Sequence, residues 1–94
     1  MIVFDPKKDR ANIAKHGVSL NRARDFVFEE SLIEADDRFD YEERRWVAYG
    51  DLDGRLYVLV FVVRDDMPRV ISLRKANERE KRHAKRQGRL GGAG

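Results

Sequence analysis

The chain contains no cysteine, two histidines, two prolines and one tryptophan in 94 residues. Without cysteine there is no disulfide framework, no thiol nucleophile and no thiolate metal site, a composition in keeping with a reducing cytoplasm. His16 and His83 alone are too few ligands to argue for a structural zinc site. Carboxylates are plentiful, but Asp36-Asp37 and Glu42-Glu43 are sequence neighbours, whose side chains point apart in an extended chain. That pattern argues against a metal-dependent nuclease, which needs several converging carboxylates. A Gly-rich phosphate loop, a GxSxG elbow and an HExxH motif are all missing. The longest apolar run, Val58 to Val63, is far too short to span a bilayer, and Met1 to Arg10 has no apolar signal-peptide core. The expectation is a cytoplasmic protein with no metal, no cofactor and no membrane partner.

What the chain does have is charge, distributed unevenly. The formal net charge is +3. Glu29 to Glu43 carries eight acids against one arginine, whereas Ala76 to Gly94 carries six lysines and arginines against two glutamates. A basic end on a near-neutral body points to contact with a polyanion there, or simply to solubility, and charge alone leaves both open.

One modest core is all that this length can bury, so a single domain is expected over residues 1–88, with 89–94 a disordered Gly-rich tail. Ile2 to Phe4 reads as a short strand closed by Asp5-Pro6. Asp5 suits a helix cap and Pro6 the first helical position, so Lys7 to His16 is expected to be helical and to stop at Gly17. Ser19 can cap a second helix, in which Leu20, Ala23 and Val27 share a face widened by Phe26. Leu32 to Ala35 is a short strand candidate, and Asp36 to Glu43 a loop. Arg44 to Tyr49 alternates, Gly50 to Gly54 reads as a turn, and Arg55 to Arg64 returns as the second arm of a hairpin. Leu56 to Val63 is apolar on both faces and should lie centrally. After a turn at Asp65 to Pro68, Arg69 to Arg74 forms a third antiparallel strand, with Val70, Ser72 and Arg74 expected on one face and Ile71 and Leu73 on the other. Lys75 to Gln87 is helix-forming but almost without large apolar residues, and Gly88 ends it. The order is that of an α+β domain, with N-terminal helices packed on an antiparallel sheet and a basic C-terminal helix.

The residues left to carry chemistry are chiefly arginines. In a hairpin Arg64 and Arg69 lie near one end of the strand pair and Arg74 toward the other. Arg79, Arg82 and Arg86 recur at helical spacing on one face. Guanidinium groups bind phosphate with two donors and stabilise the charge of a phosphorane, although each of these could also be a solvated surface charge. Arg74 stands apart because it sits where sheet hands over to helix. His16 lies at a helix C-terminus, where the dipole favours the imidazolium and hence a capping role. His83 is a candidate proton acceptor, Tyr49 could stack on a base, and Trp46 reads as core.

Phe4-Asp5-Pro6-Lys7 with Asn12 and Lys15-His16-Gly17-Val18-Ser19 resembles the opening of BrnT toxins, an aromatic-Asp-Pro followed by N..KHGVSF. Asp25, Val27 and Phe28 resemble the next block, and Glu42-Glu43-Arg44 the family's EER, with Gly50 after the strand. Gly54-Arg55-Leu56, Val58 and Arg64 resemble its GR.L.V hairpin and closing arginine. Val70-Ile71-Ser72, Arg74, Ala76 and Arg79-Glu80 resemble R.IS.R.A...E. The resemblance runs from Phe4 to about Arg82, with two departures. Leu20 stands where the family usually has Phe, and His83-Ala84-Lys85 stands where members often carry a tyrosine followed by an acid.

The resemblance implies a compact RelE-like fold and metal-independent RNA cleavage that halts translation. It implies a BrnA-like ribbon-helix-helix antitoxin as partner, in a heterotetramer or larger assembly that represses its own operon, with operator DNA contacted only through that complex. Attack of the ribose 2′-hydroxyl on phosphorus needs orientation, charge stabilisation and proton transfer. Arg64, Arg74 and Arg79 are the candidates for charge stabilisation. Glu43, His83 or His16 is the candidate base, and Arg69, Arg82, Arg86 and Tyr49 are candidate RNA contacts. The competing readings are a non-catalytic nucleic-acid-binding or antitoxin-binding co-repressor module, favoured by the missing tyrosine, and a protein-interaction domain using the acidic segment.

Overall fold

The computed structural model of the chain describes residues 2–38 and 42–88. The glycine-rich tail anticipated at 89–94 lies outside them. After the short strand β1 (Val3–Phe4) comes helix α1 (Pro6–His16), started as expected by Asp5, whose carboxylate accepts from the Lys7 N–H at 2.8 Å, and ended by left-handed Gly17. Ser19 caps the next segment, but Leu20–Asp25 is a 3₁₀ helix rather than an α-helix, and Phe26 already has extended backbone. Val27 therefore falls outside it. A second 3₁₀ turn, Phe28–Glu30, leads into β2 (Leu32–Ala35).

Strands β3 (Trp46–Leu52), β4 (Arg55–Arg64) and β5 (Met67–Lys75) form the expected antiparallel meander, followed by α2 (Glu78–Arg86). Both hairpins are tighter than the sequence pattern implies. The first turn is Asp53-Gly54 alone, with positive φ at both residues, so Gly50 to Leu52 belong to the strand. The second is Asp65-Asp66, again with positive φ at both, and β5 starts at Met67 instead of Arg69. Positive φ at both central positions gives the turn whose twist matches that of the flanking strands. Lys75 ends β5, and α2 starts three residues later behind its Asn77 cap.

The sheet order is β1-β5-β4-β3-β2, which places doubly apolar β4 at the centre. β1 pairs with β5 in parallel, a pairing that the local sequence does not announce. On the core face Ala48, Leu52, Leu59, Phe61 and Leu73 pack against Leu20, Ala23 and Phe26. Gly50 lies on that face because of Phe26: a Cβ there would stand 2.6 Å from Phe26 Cζ and 2.9 Å from Ser31 Cβ. The glycine is needed for close approach, not for a turn.

One expectation about faces is overturned. Val60 pairs with Ser72 but Phe61 pairs with Val70, so β5 carries an extra residue opposite this step of β4. The bulge shifts the alternation by one. Val70 accordingly joins Leu73 in the core at 1% exposure, while Ser72 and Arg74 stay on the opposite face.

α1 is secured to the sheet edge by one side chain. Asn12, buried, donates through Nδ2 to the Leu73 carbonyl at 2.7 Å and accepts from the Leu73 N–H at 3.2 Å. It also donates to the Val18 carbonyl at 2.9 Å. β1 ends opposite Val70, and the Asn12 carboxamide takes the place of a strand beyond that point.

Candidate active site

The face of the sheet opposite the core is crossed by two rows of paired residues. Tyr49, Val58 and Arg74 form one row, and Glu34, Val47, Val60 and Ser72 the next. Valines give this face an apolar floor, and α2, whose Ala84 is fully buried, is tied to it through Glu80 to Arg74 and His83 to Glu34. The result is a cleft of about 200 Å³ lined by residues that include Glu34, Tyr49, Val58, Val60, Arg74 and Glu80.

At this α2 pole the polar groups have defined partners. Arg74 offers its two terminal nitrogens to Glu80, Nη1 to Oε1 at 2.7 Å and Nη2 to Oε2 at 2.6 Å. Glu80 sits at the third helical position and closes a capping box with Asn77, a local signal for a helix start. The Arg74 guanidinium holds the Glu80 carboxyl below the usual carboxylate range. His83, one turn further on, places Nε2 at 2.9 and 3.0 Å from the two carboxylate oxygens of Glu34. If the ring is neutral and Nε2–H is donated to Glu34, Nδ1 is left as acceptor. The Tyr49 ring meets the His83 ring edge-on at 5.3 Å, and burial raises the Tyr49 phenol above its ordinary value. Arg38, paired with buried Asp36 at 2.9 Å, adds a further cation beside the cleft.

The other end of the same face holds a second basic cluster. Arg64 offers Nε to both carboxylate oxygens of Glu43 at 3.1 Å, and its Nη2 also donates to Glu43. Around them Lys8, Arg45, Arg64 and Arg69 line a cavity of about 320 Å³.

The site residues expected from sequence are thus distributed, not gathered. Arg74, His83 and Tyr49 meet at the α2 pole, and Arg64, Arg69 and Glu43 at the opposite pole. Arg79, Arg82 and Arg86 are all exposed on α2, and none of them lines the cleft, where Glu80 rather than Arg79 meets Arg74. His16 lies with Ser72 along a shallow depression at the β5 edge. Its pKa is lowered, first by burial and then by the charges of Lys15 and Arg74, the reverse of what the helix dipole alone implied. Glu34, Glu80 and Arg38 are additions that reasoning from the sequence missed. For Glu80 the signal was present, an Asn followed three residues later by Glu. Among the described residues no group of three or more His, Asp or Glu side chains is placed to hold a metal ion, and no helix is long and apolar enough to cross a membrane.

The model of a family described as "Ribonuclease toxin, BrnT, of type II toxin-antitoxin system" matches residues 4–80. Among solved structures, the ribonuclease toxin BrnT of Brucella abortus is similar with a TM-score of 0.63 at 27% identity, over 82% of this chain and 96% of that one. No curated protein gives a significant match. With its mixed five-stranded sheet and more than half of its length matched, the chain belongs to the BrnT family of ribonuclease toxins of type II toxin–antitoxin systems.

Proposed function

We propose that the protein cleaves RNA without a metal ion, at the α2 pole of the sheet. The observation that carries this reading is the assembly, at one pole of the sheet, of a cation for phosphate (Arg74) and an aromatic ring (Tyr49) in the cleft, with a carboxylate-bound imidazole (His83 on Glu34) beside them. A ribose 2′-hydroxyl would lose its proton to His83 as its oxygen attacks the adjacent phosphorus. The P–O5′ bond breaks and the 5′-oxygen takes a proton from solvent water, giving a 2′,3′-cyclic phosphate and a 5′-hydroxyl end, while His83 returns its proton to solvent. Glu34 positions the imidazole, Tyr49 offers a stacking surface for a base, and Arg74 stabilises the phosphorane. Arg79, Arg82 and Arg86 supply the basic approach to the cleft.

The partner is an antitoxin of the BrnA type, with a ribbon-helix-helix domain through which the complex, a heterotetramer or larger, represses its operon. RNA cleavage would halt translation in the cytoplasm. One observation favours the non-catalytic reading: Arg74 and Arg64 are both already held by internal carboxylates. Expression in bacteria with and without the antitoxin gene separates the two, since a co-repressor leaves growth unchanged.

The direct test is incubation of purified protein with labelled RNA in EDTA. Cleavage that persists, leaves cyclic phosphate ends and stops at a 2′-deoxy substitution is expected. Cleavage that disappears with chelator and returns with magnesium overturns the mechanism.

A further inference from the structure

The cluster around Arg64 plays no part in that mechanism, yet it is built to hold an anion. Its four cations come from separate elements: Lys8 from α1, Arg45 from the approach to β3, Arg64 from the end of β4 and Arg69 from β5. Arg69 Nε is buried and has no hydrogen-bond partner among the described residues. A buried N–H without an acceptor is rare in native proteins and calls for an explanation, a bound ion that supplies the acceptor being one.

The neighbouring carboxylate shows what this pole accepts. Glu43 is held below the usual carboxylate range, first by its hydrogen bonds from Arg64 and also by the charges of Arg69 and Arg45. Of the other two acids lining the cavity, Asp5 is committed to capping α1 and Glu42 is exposed. By strand register Arg69 lies opposite Val62, and Arg74 opposite Val58, on the same face. Four residues of strand put the two arginines about 13 Å apart. That is too far for one phosphate and within a few nucleotides of an extended single strand.

We propose that the basin of Lys8, Arg64 and Arg69 is a second phosphate station, which takes an RNA backbone phosphodiester a few nucleotides from the one beside Arg74. This rests on the reading of the α2 pole as the cleavage site. The valine floor between the poles then underlies the intervening nucleotides, and affinity depends on substrate length.

The test uses 2′-O-methyl oligonucleotides, which cannot be cleaved, of two and eight nucleotides. Binding to the wild-type protein, Arg69→Gln and Lys8→Gln is followed by fluorescence anisotropy at several salt concentrations. Lys8 is exposed on α1, so its replacement guards against a folding defect in the Arg69 variant. Each variant should bind the octamer about tenfold more weakly, with the slope of log affinity against log salt reduced by about 0.7 for each phosphate that is no longer engaged. Dinucleotide binding should be unchanged. Equal weakening for both lengths, no weakening for either, or an effect confined to antitoxin binding overturns the proposal. Failure of the α2 pole as cleavage site would appear separately, as full cleavage by Arg74→Ala, because the binding measurements need no cleavage.

Discussion

Arg74 and Glu80 form a two-point ion pair in which one oxygen serves two purposes: Glu80 Oε1 accepts from Arg74 Nη1 at 2.7 Å and from the Asn77 backbone N–H at 2.9 Å. The last strand and the last helix are therefore joined at the atom that starts the helix. Any phosphate that engages Arg74 must share it with Glu80 or displace that carboxylate.

Arg74→Ala is expected to abolish growth inhibition, whereas Arg74→Lys should restore it only in part. Removing one donor to a developing anion costs about 3–4 kcal/mol, a hundredfold or more in rate, and lysine keeps the charge without the planar fork. Because Glu80 retains its cap, the alanine variant should lose only about 1 kcal/mol of stability. RNA cleavage rates and thermal melts check both parts. A well-expressed Arg74→Ala protein with full toxicity would remove Arg74 from the site.

The same pair sets a dependence on acid. Glu80 has its folded-state pKa depressed, chiefly by Arg74. Its contribution to stability is thus complete above the ordinary carboxylate pKa of about 4.3 and is lost as pH falls through the lower folded value. Glu80→Gln, which can still close the capping box, should melt lower than wild type at pH 7. The difference should narrow on acidification below about pH 4. A gap that widens toward low pH would contradict the assignment.

Asn12→Leu preserves size but leaves the Leu73 N–H and C=O without their partner at the sheet edge. Two buried backbone groups left unpaired should cost about 2–4 kcal/mol, enough to lower Tm by more than about 10 °C. The measurement is a thermal or urea melt. A change of only a few degrees would mean that water takes over the role of the carboxamide.

Gly50→Ala is expected to be destabilising by about 1–3 kcal/mol, since the added methyl meets the Phe26 ring and Ser31 Cβ and the core must shift to admit it. Combining it with Phe26→Leu should recover part of the loss. A double mutant that is merely additive would show that the clash is relieved elsewhere.

Antitoxin binding should weaken as salt is raised, because carboxylates on the partner can satisfy guanidinium groups that otherwise take phosphate. Some of Arg64, Arg74, Arg79 and Arg82 should be covered in the complex. A complex that leaves all four exposed would exclude inhibition by occlusion.

Local chemistry is legible in the sequence wherever it is decided by neighbours along the chain. Asp5, Pro6 and Gly17 delimit α1 as anticipated, and the unbroken apolar run of β4 occupies the sheet centre, whereas the turn expected over Gly50 to Gly54 contracts to Asp53-Gly54. What is not legible shares one cause. Period-two alternation puts Val70 with Ser72, and the bulge reverses that, because an extra residue in β5 is visible only against its partner strand. Likewise a set of arginines along the chain does not reveal which carboxylates face them. Arg64 finds Glu43 from 21 positions away, and His83 finds Glu34 from 49.

Asn12 and β1 carry a consequence for synthesis. Both find their partners in β5, which also forms one side of the central hairpin. A nascent chain therefore emerges with its opening strand and first helix unsatisfied, and these dock only once residues 67–75 have been made. Docking of β1 and α1 therefore follows the making of β5 and cannot precede it.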